Sequence, residues 1–464
     1  MYRYIQAFMT KRQSKTTFFK RVTWKASILT ILVGLLAFTV VLAASGGLDT
    51  TFGGDGLVTS FAVPSNPNRW DIGVDIAIQP NGKIVAAGWS LVPSTNNQDF
   101  ALIRYNKNGS LDTTFSGDGR LLTNLGGVDY AYDVALQPDG KIVVAGLKCN
   151  LPTSNPNAIC DLALARYKTN GGLDTTFSGD GKVVTDFGGG NNGSYGGLVI
   201  QPDGKIVVAG FMWNGTDYDF AVYRYKANGS PDNAFGANGK VRIPFGNGRK
   251  DIANALAFQN NDGKIVVSGY TGSSSDTNRD FAMVRLNPNG TRDTSFSGDG
   301  KVTTNFGSDE IGLGLDGHQD GRIVLVGQKI DAGGFHFIAI ARYKPNGQPD
   351  TTFNKTGKKV FRVGPTAGTW HSYASDVIVQ PNNQIIVLGN TSDFISINDI
   401  ALIRLNNNGG FDNAFGTKGK MFIDFGGDDY AYDLTRQSSD SKYVLVGNTN
   451  AIGGNDFALA RVLP

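Results

Sequence analysis

Glutamate is almost absent: Glu310 is the single Glu among 40 acidic residues, and the other 39 are Asp. Glu suits helix interiors, whereas Asp competes for its own backbone and favours turns, so this bias disfavours long helices. Histidine occurs three times, and cysteine only as Cys149 and Cys160. Two cysteines alone do not make a structural zinc site. No Gly-x-Ser-x-Gly elbow, His-Glu-x-x-His pair or phosphate-binding glycine loop is present, so the common hydrolase, zinc-protease and nucleotide-binding signatures are missing. Positive charge is lacking where nucleic acid would need it. Seven of the 43 Lys and Arg residues fall in the first 25 positions, which leaves 36 cations against 40 anions in the remainder. No basic stretch remains there to neutralise phosphates, so a nucleic-acid partner is not expected.

The chain divides at its start. Residues 1–25 are basic, residues 26–44 are an uncharged apolar run, and small residues follow at Ser45-Gly46-Gly47. This order predicts a secretory signal and an exported body, residues 45–464. The alternative is a retained anchor, because 19 apolar residues just span a bilayer. Membrane contact would then run through residues 26–44 alone. Cys149 and Cys160 bracket a short loop, and an exported chain permits a disulfide there; two free thiols are the other reading.

With 62 Gly, the body reads as short strands joined by many turns. The phrase Leu-Asp-Thr-Thr-Phe begins at Leu48 and recurs, lightly edited, six more times. Its closing residues, Phe52, Phe115, Phe177, Phe235, Phe296, Phe353 and Phe415, are spaced 63, 62, 58, 61, 57 and 62 apart. Such a fixed period signals a solenoid, array or propeller. In the second unit, runs at 119–125, 133–137, 141–146 and 161–167 are strand-length and bounded by Gly, Pro, Asn and Asp, so four strands, D, A, B and C in order of appearance, are predicted. The body opens on a D strand (Gly56–Phe61) and finishes on a C strand (Asp456–Val462). A linear array would leave bare edges. Pairing the first D strand with the last A-B-C triplet gives an all-β, seven-bladed propeller of four-stranded antiparallel blades.

The pattern D-x-T-F-x-x-x-G-K-V, then A-x-D-V-A-L-Q-P-D-G-K-I-V-V-A-G, then D-F-A-L-A-R-Y-N, resembles the bacterial delta-60 repeat family across residues 48–464. That resemblance implies a β-propeller of uncharacterised function. The stretch VALQPDGKIVVAG also resembles the A–B hairpin of WD-repeat propellers. The Trp-Asp and Gly-His pairs of that family are missing, so only the strand order is carried over.

Residues present in every copy are best explained by the blade. Arg104, Arg166, Arg224, Arg285, Arg342, Arg404 and Arg461 share one place on strand C, and Asp49, Asp112, Asp174, Asp232, Asp293, Asp350 and Asp412 share one place after it. A guanidinium fork meeting a carboxylate across the C–D turn is expected to fix that corner. Every copy also ends strand B in Gly, where the backbone must bend or be closely approached.

Function is expected where copies differ. From the strand-B Gly to the second residue of strand C is 12, 16, 10, 12, 11, 11 and 10 residues, and the D–A connections vary too. Both loop sets leave one face of the ring, the usual place for binding on a rigid scaffold. Trp70, Trp89, Trp213, Trp370 and Tyr373 map to this face, with Tyr130, Tyr195, Tyr218 and Tyr430. They are candidates for ligand contact, or lids over the blade ends. Asp75, Asp133, Asp376 and Asp433 are read as beginning strand A at the channel mouth, with Asp71, Asp129, Asp309, Glu310, Asp428 and Asp429 in preceding loops. Carboxylates converging there are candidates for Ca²⁺, with solvated turn residues the favoured reading and no cofactor expected. His371 is a candidate acid–base group, but no paired nucleophile can be named. The sequence therefore reads as an exported, monomeric binding scaffold for an extracellular protein or glycan. The alternatives are a carbohydrate-active enzyme using the channel-mouth Asp and His371, and a purely structural surface protein.

Overall fold

The computed structural model describes residues 45–64, 70–155, 158–186, 190–259, 261–364, 370–392 and 398–464. The basic segment 1–25 and the apolar segment 26–44 lie outside the described residues. The described residues form seven antiparallel sheets with the order A-B-C-D from the axis outward. In blade two, strand A is Val128–Leu136, B is Ile142–Cys149, C is Cys160–Tyr167 and D is Lys182–Thr185. The A strands pack on one another in an unbroken ring around the axis.

Closure follows the expected route. Leu57–Ser60 pairs antiparallel with Asp456–Val462, from Leu57 opposite Ala460 to Ser60 opposite Phe457. Bonds from Asp49 N–H to Arg461 O (2.8 Å) and from Leu463 N–H to Gly47 O (2.9 Å) extend the seam. The seventh blade is thus built from both ends of the body, and no D strand is left unpaired at the join. The apolar cores lie between blades. One cluster combines Val85, Phe100 and Phe115 of blade one with Ile142, Val144 and Ala163 of blade two.

Strand A departs from expectation. It begins about five residues earlier than the alternation suggests, at Val128 rather than Asp133 in blade two. A β-bulge shifts the register between Ala131 and Asp133, and the same bulge recurs at Gly73/Asp75, Ala374/Asp376 and Ala431/Asp433. An inserted residue breaks the period-two pattern, so only the part beyond the bulge reads as a strand. The bulge also explains the glycine at the end of the strand-B run. A Cβ on Gly88 would sit 1.8 Å from Ile72 O, and one on Gly447 would sit 1.7 Å from Tyr430 O. In blade three the A strand splits into Asn192–Gly193 and Leu198–Ile200. Gly196 and Gly197 between them take φ of 147° and 92°, a backbone that a continuous strand does not accommodate.

Candidate functional site

The A–B and C–D turns form one face, and the repeated Arg and Asp residues meet there. Arg104 Nε donates to Asp112 at 2.6 Å, Arg224 to Asp232 at 2.8 Å, Arg285 to Asp293 at 2.7 Å, Arg342 to Asp350 at 2.8 Å, Arg404 to Asp412 at 2.7 Å and Arg461 to Asp49 at 2.6 Å. Arg166 meets Asp174 through Nη2 at 2.8 Å. Each guanidinium also lies over the buried Phe of its own corner, at 4.5 Å for Arg224 on Phe235. Sequence reasoning did not reveal a third role. Arg224 Nη1 donates to Pro288 O (2.5 Å) and Arg285 Nη1 to Pro345 O (2.6 Å), so the side chain also ties its blade to the next. Burial raises the Asp174 carboxyl, but bonds from the Thr176 hydroxyl and N–H and the charge of Arg166 outweigh it and hold the group at about 2.

The channel carboxylates are not at the mouth. Asp75, Asp133, Asp376 and Asp433 follow the bulge in mid-strand, and each serves the next blade. Asp75 accepts from Val134 N–H, Asp133 from Gly197 and Leu198 N–H (both 2.7 Å), Asp376 from Leu434 N–H (3.2 Å) and Asp433 from Ile76 N–H (3.2 Å). Burial, followed by the neighbouring Asp133 and Asp433, drives the Asp75 carboxyl well above its usual range. Burial lifts Asp133 to about 6. Blade five carries Gly314 instead, and Asp316 two residues on is raised by burial to about 6.

Of the acids expected in the loops before strand A, Asp71, Asp129 and Asp429 are loop clamps, and Asp251, which was not singled out in the sequence, is a fourth. Asp71, Asp129, Asp251 and Asp429 are fully buried, and accept N–H bonds from Ala62 (2.8 Å), Leu125 (2.6 Å), Phe245 (2.7 Å) and Phe425 (2.5 Å) at the ends of the D–A connections. Burial pushes Asp129 and Asp429 up to about 7 and Asp251 to about 6. Asp399, Asp424 and Asp429 bring oxygens within 4.8 Å of one another. Only Asp424 of the three is exposed, and Asp429 already accepts from Phe425 N–H.

Most of the single-copy aromatics and histidines are packed. Trp89 is buried and meets Tyr130 edge-on at 5.5 Å. Trp370 is also buried, Trp213 is the last residue of strand B in blade three, and Trp70 bridges to Asn455 of blade seven. Tyr373 lies within strand A of blade six, where burial raises its hydroxyl pKa. His371 and His336 begin strands. His371 Nδ1 accepts from His336 N–H at 3.2 Å, and its ring stacks on Phe335 at 5.7 Å. Burial, then Arg362, lowers His371; burial, then His371 and Arg279, brings His336 to about 4. His371 is thus engaged with blade five, and Asp376 with Leu434. The pair cited for acid–base work is committed to other contacts.

One cleft opens on the loop face, above blades three and four, with a volume of about 150 Å³. Tyr195, Phe211, Tyr218 and Tyr270 give it an aromatic floor, and Thr153, Asn155 and Asn191 contribute polar groups. Tyr195 stacks on Phe211 at 4.8 Å, and Phe211 meets Tyr218 edge-on at 5.6 Å. Lys250 pairs with Asp276 at 2.8 Å. Arg279 is buried and grips Asp309 through Nε (2.9 Å) and Nη2, with Asp276 3.9 Å from Nη1. The Cys149–Cys160 disulfide joins directly opposed residues of strands B and C in blade two and ties down the base of the longest B–C loop. Tyr195 and Tyr218 were visible as loop-face aromatics. Lys250, Tyr270, Asp276 and Arg279 were not, because only folding brings strand A, the end of strand B and the B–C loop of blade four against the loops of blades two and three.

The family comparison agrees with the architecture. Residues 79–115, 201–235, 261–296, 318–353 and 380–415 match the family described as a domain of unknown function (DUF5122) beta-propeller. These matches support a propeller repeat family whose function is not known. No curated protein matches the chain. Among solved structures, a protein of unknown function from Dyadobacter fermentans has a TM-score of 0.45 at 12% identity, over 88% of this chain and 99% of that one. A GH93 α-L-arabinofuranosidase of Fusarium graminearum has 0.46 at 11%, over 88% and 97%. A PL25 ulvan lyase has 0.46 at 11%, over 90% and 94%.

Proposed function

We propose that the chain is an exported binding scaffold of the delta-60 repeat type, which presents its loop face to an extracellular protein or glycan. The carrying observation is the division of labour between faces. The residues repeated in all seven copies are spent on the turn face and on ring closure, whereas unequal loops surround an aromatic cleft opposite. A stiff ring carrying differing loops recognises a partner without a catalytic group. Export rests on the basic and apolar order of residues 1–44.

The test is capture of the full chain on arrays of extracellular proteins and glycans, followed by loop-face substitutions. Binding that falls with loop changes at unaltered melting temperature supports the reading. Turnover of a glycan that is abolished by Asp376→Asn together with His371→Ala replaces it with the enzyme reading. The absence of any partner favours a purely structural role.

A further inference from the structure

Features of unlike origin converge on the cleft above blades three and four. One wall is the blade-two B–C loop, with Thr153 and Asn155, whose base the disulfide closes. The opposite wall is the blade-four B–C loop, where Asp276 and Asn278 adopt φ of 62° and 50°. Asp and Asn take this left-handed backbone readily in tight turns, so the wall is a compact turn. The buried Arg279 holds that wall through Asp309. A covalent tie, an ion-paired strut and a compact turn leave little to reorganise on binding, which lowers the cost of capture.

We propose that this cleft takes one ring of a neutral oligosaccharide; the assignment rests on the loop face being the recognition surface. A volume of about 150 Å³ suits a single six-membered ring, since a cavity of about that size admits benzene. A sugar ring presents a face of C–H groups and a rim of hydroxyls. The half-buried Tyr195 and Tyr218 offer flat apolar surface to the first. Asn155, Asn191 and Thr153 offer donors and acceptors to the second. Charge argues against an anion. Lys250 and Arg279 are matched by Asp276 and Asp309, so no net positive field draws in a carboxylate or phosphate. Hydroxyls can bond to the partly exposed Lys250–Asp276 pair without separating it.

The test uses the full chain in mild detergent, with an array of neutral glycans for screening. Ligand-observed saturation-transfer NMR follows with any neutral trisaccharide that binds, with trigalacturonate as the acidic probe and tetramethylammonium as the cationic one. Transfer to the neutral sugar is expected, falling at least tenfold in Tyr218→Ala and in Asn155→Ala, the latter with an unchanged melting temperature. Binding of trigalacturonate or tetramethylammonium alone overturns the neutral-sugar assignment and leaves the loop face as a recognition surface. Neutral-sugar binding that survives both substitutions also overturns it, because the site is then elsewhere. Capture of a protein through the loop face, without any glycan, overturns this inference alone. If neither glycan nor protein is captured, the binding reading falls with it.

Discussion

The two faces of the ring solve the same problem in opposite ways. On the turn face each blade repeats one solution: an Arg meets an Asp, covers a Phe and, in most blades, also bonds to the backbone of the next blade. On the loop face the corresponding corners diverge. Asp99 is bound by Asn124 (2.9 Å) and Asp280 by Asn305 (2.6 Å), Arg362 lies over Phe337 (4.7 Å), and Asp399 faces Asp424. A corner that closes the ring has one good geometry and keeps one residue set. A corner that only has to end a strand accepts several, which leaves room for loops to acquire other tasks. Titration separates particular groups: burial raises the loop clamps Asp129, Asp251 and Asp429, whereas at Asp112, Asp174 and Asp293 on the turn face, and at Asp276 in the cleft, hydrogen bonds and cations outweigh burial and lower the carboxyl.

The largest effect is expected from deleting residues 45–61, which removes the outer strand of blade seven. The bare edge of Asp456–Val462 should drive association or unfolding, visible by size-exclusion chromatography; a stable monomer with the original melting temperature would show that closure is dispensable. A pH scan probes both faces at once. Asp129 and Asp429 titrate near 7, and Asp133, Asp251 and Asp316 near 6, all above the unfolded value of about 3.9. The folded state therefore holds protons that the unfolded state releases, and stability is lost as pH rises through 6–7. The neutral buried histidines oppose this below about 6.5, but they are outnumbered. Turn-face carboxylates, with depressed values, lose their contribution only below about 4. Melting temperature should thus climb from pH 8 to pH 5 and drop below pH 4. A steady fall from pH 8 to pH 5 would contradict the burial of the loop-face acids.

Arg224→Ala should cost about 3–5 kcal/mol in chemical denaturation, because it strands the buried Asp232 carboxylate, while leaving any ligand affinity alone. Cys149→Ser should cost about 2–3 kcal/mol through the lost loop constraint, and it should also weaken ligand capture, because the loop it ties walls the cleft. Thr153→Ala, on the loop face, should stay within about 0.5 kcal/mol of the parent. Equal losses for Arg224→Ala and Thr153→Ala would erase the distinction between the faces.

The ring was legible because its cause is repetition. Phe52 to Phe415 mark the period, and Gly56–Phe61 at one end with Asp456–Val462 at the other give the offset that closure requires. The Arg and Asp of the corner were visible as recurring partners for the same reason. The bulge in strand A was not, since an inserted residue erases alternation, and this misplaced Asp75, Asp133, Asp376 and Asp433 at the channel mouth. Trp89 and Trp370 carried no sign of burial, because a ring that caps a blade and a ring that meets a ligand look alike in sequence. Lys250 on strand A and Asp276 and Arg279 in the B–C loop of blade four each occur in one copy, and no periodicity announces them.

The proposed recognition surface lies opposite the repeated corners. The most direct measurement compares capture of the full chain, on one array of extracellular proteins and glycans, with capture of two variants. One carries Asn155→Ala and Lys250→Ala on the loop face, the other Lys205→Ala and Arg292→Ala on the turn face. Lost capture in the first and full capture in the second, both with the parental melting temperature, is the predicted result. Full capture in the first with loss in the second would place recognition on the wrong face and contradict the account.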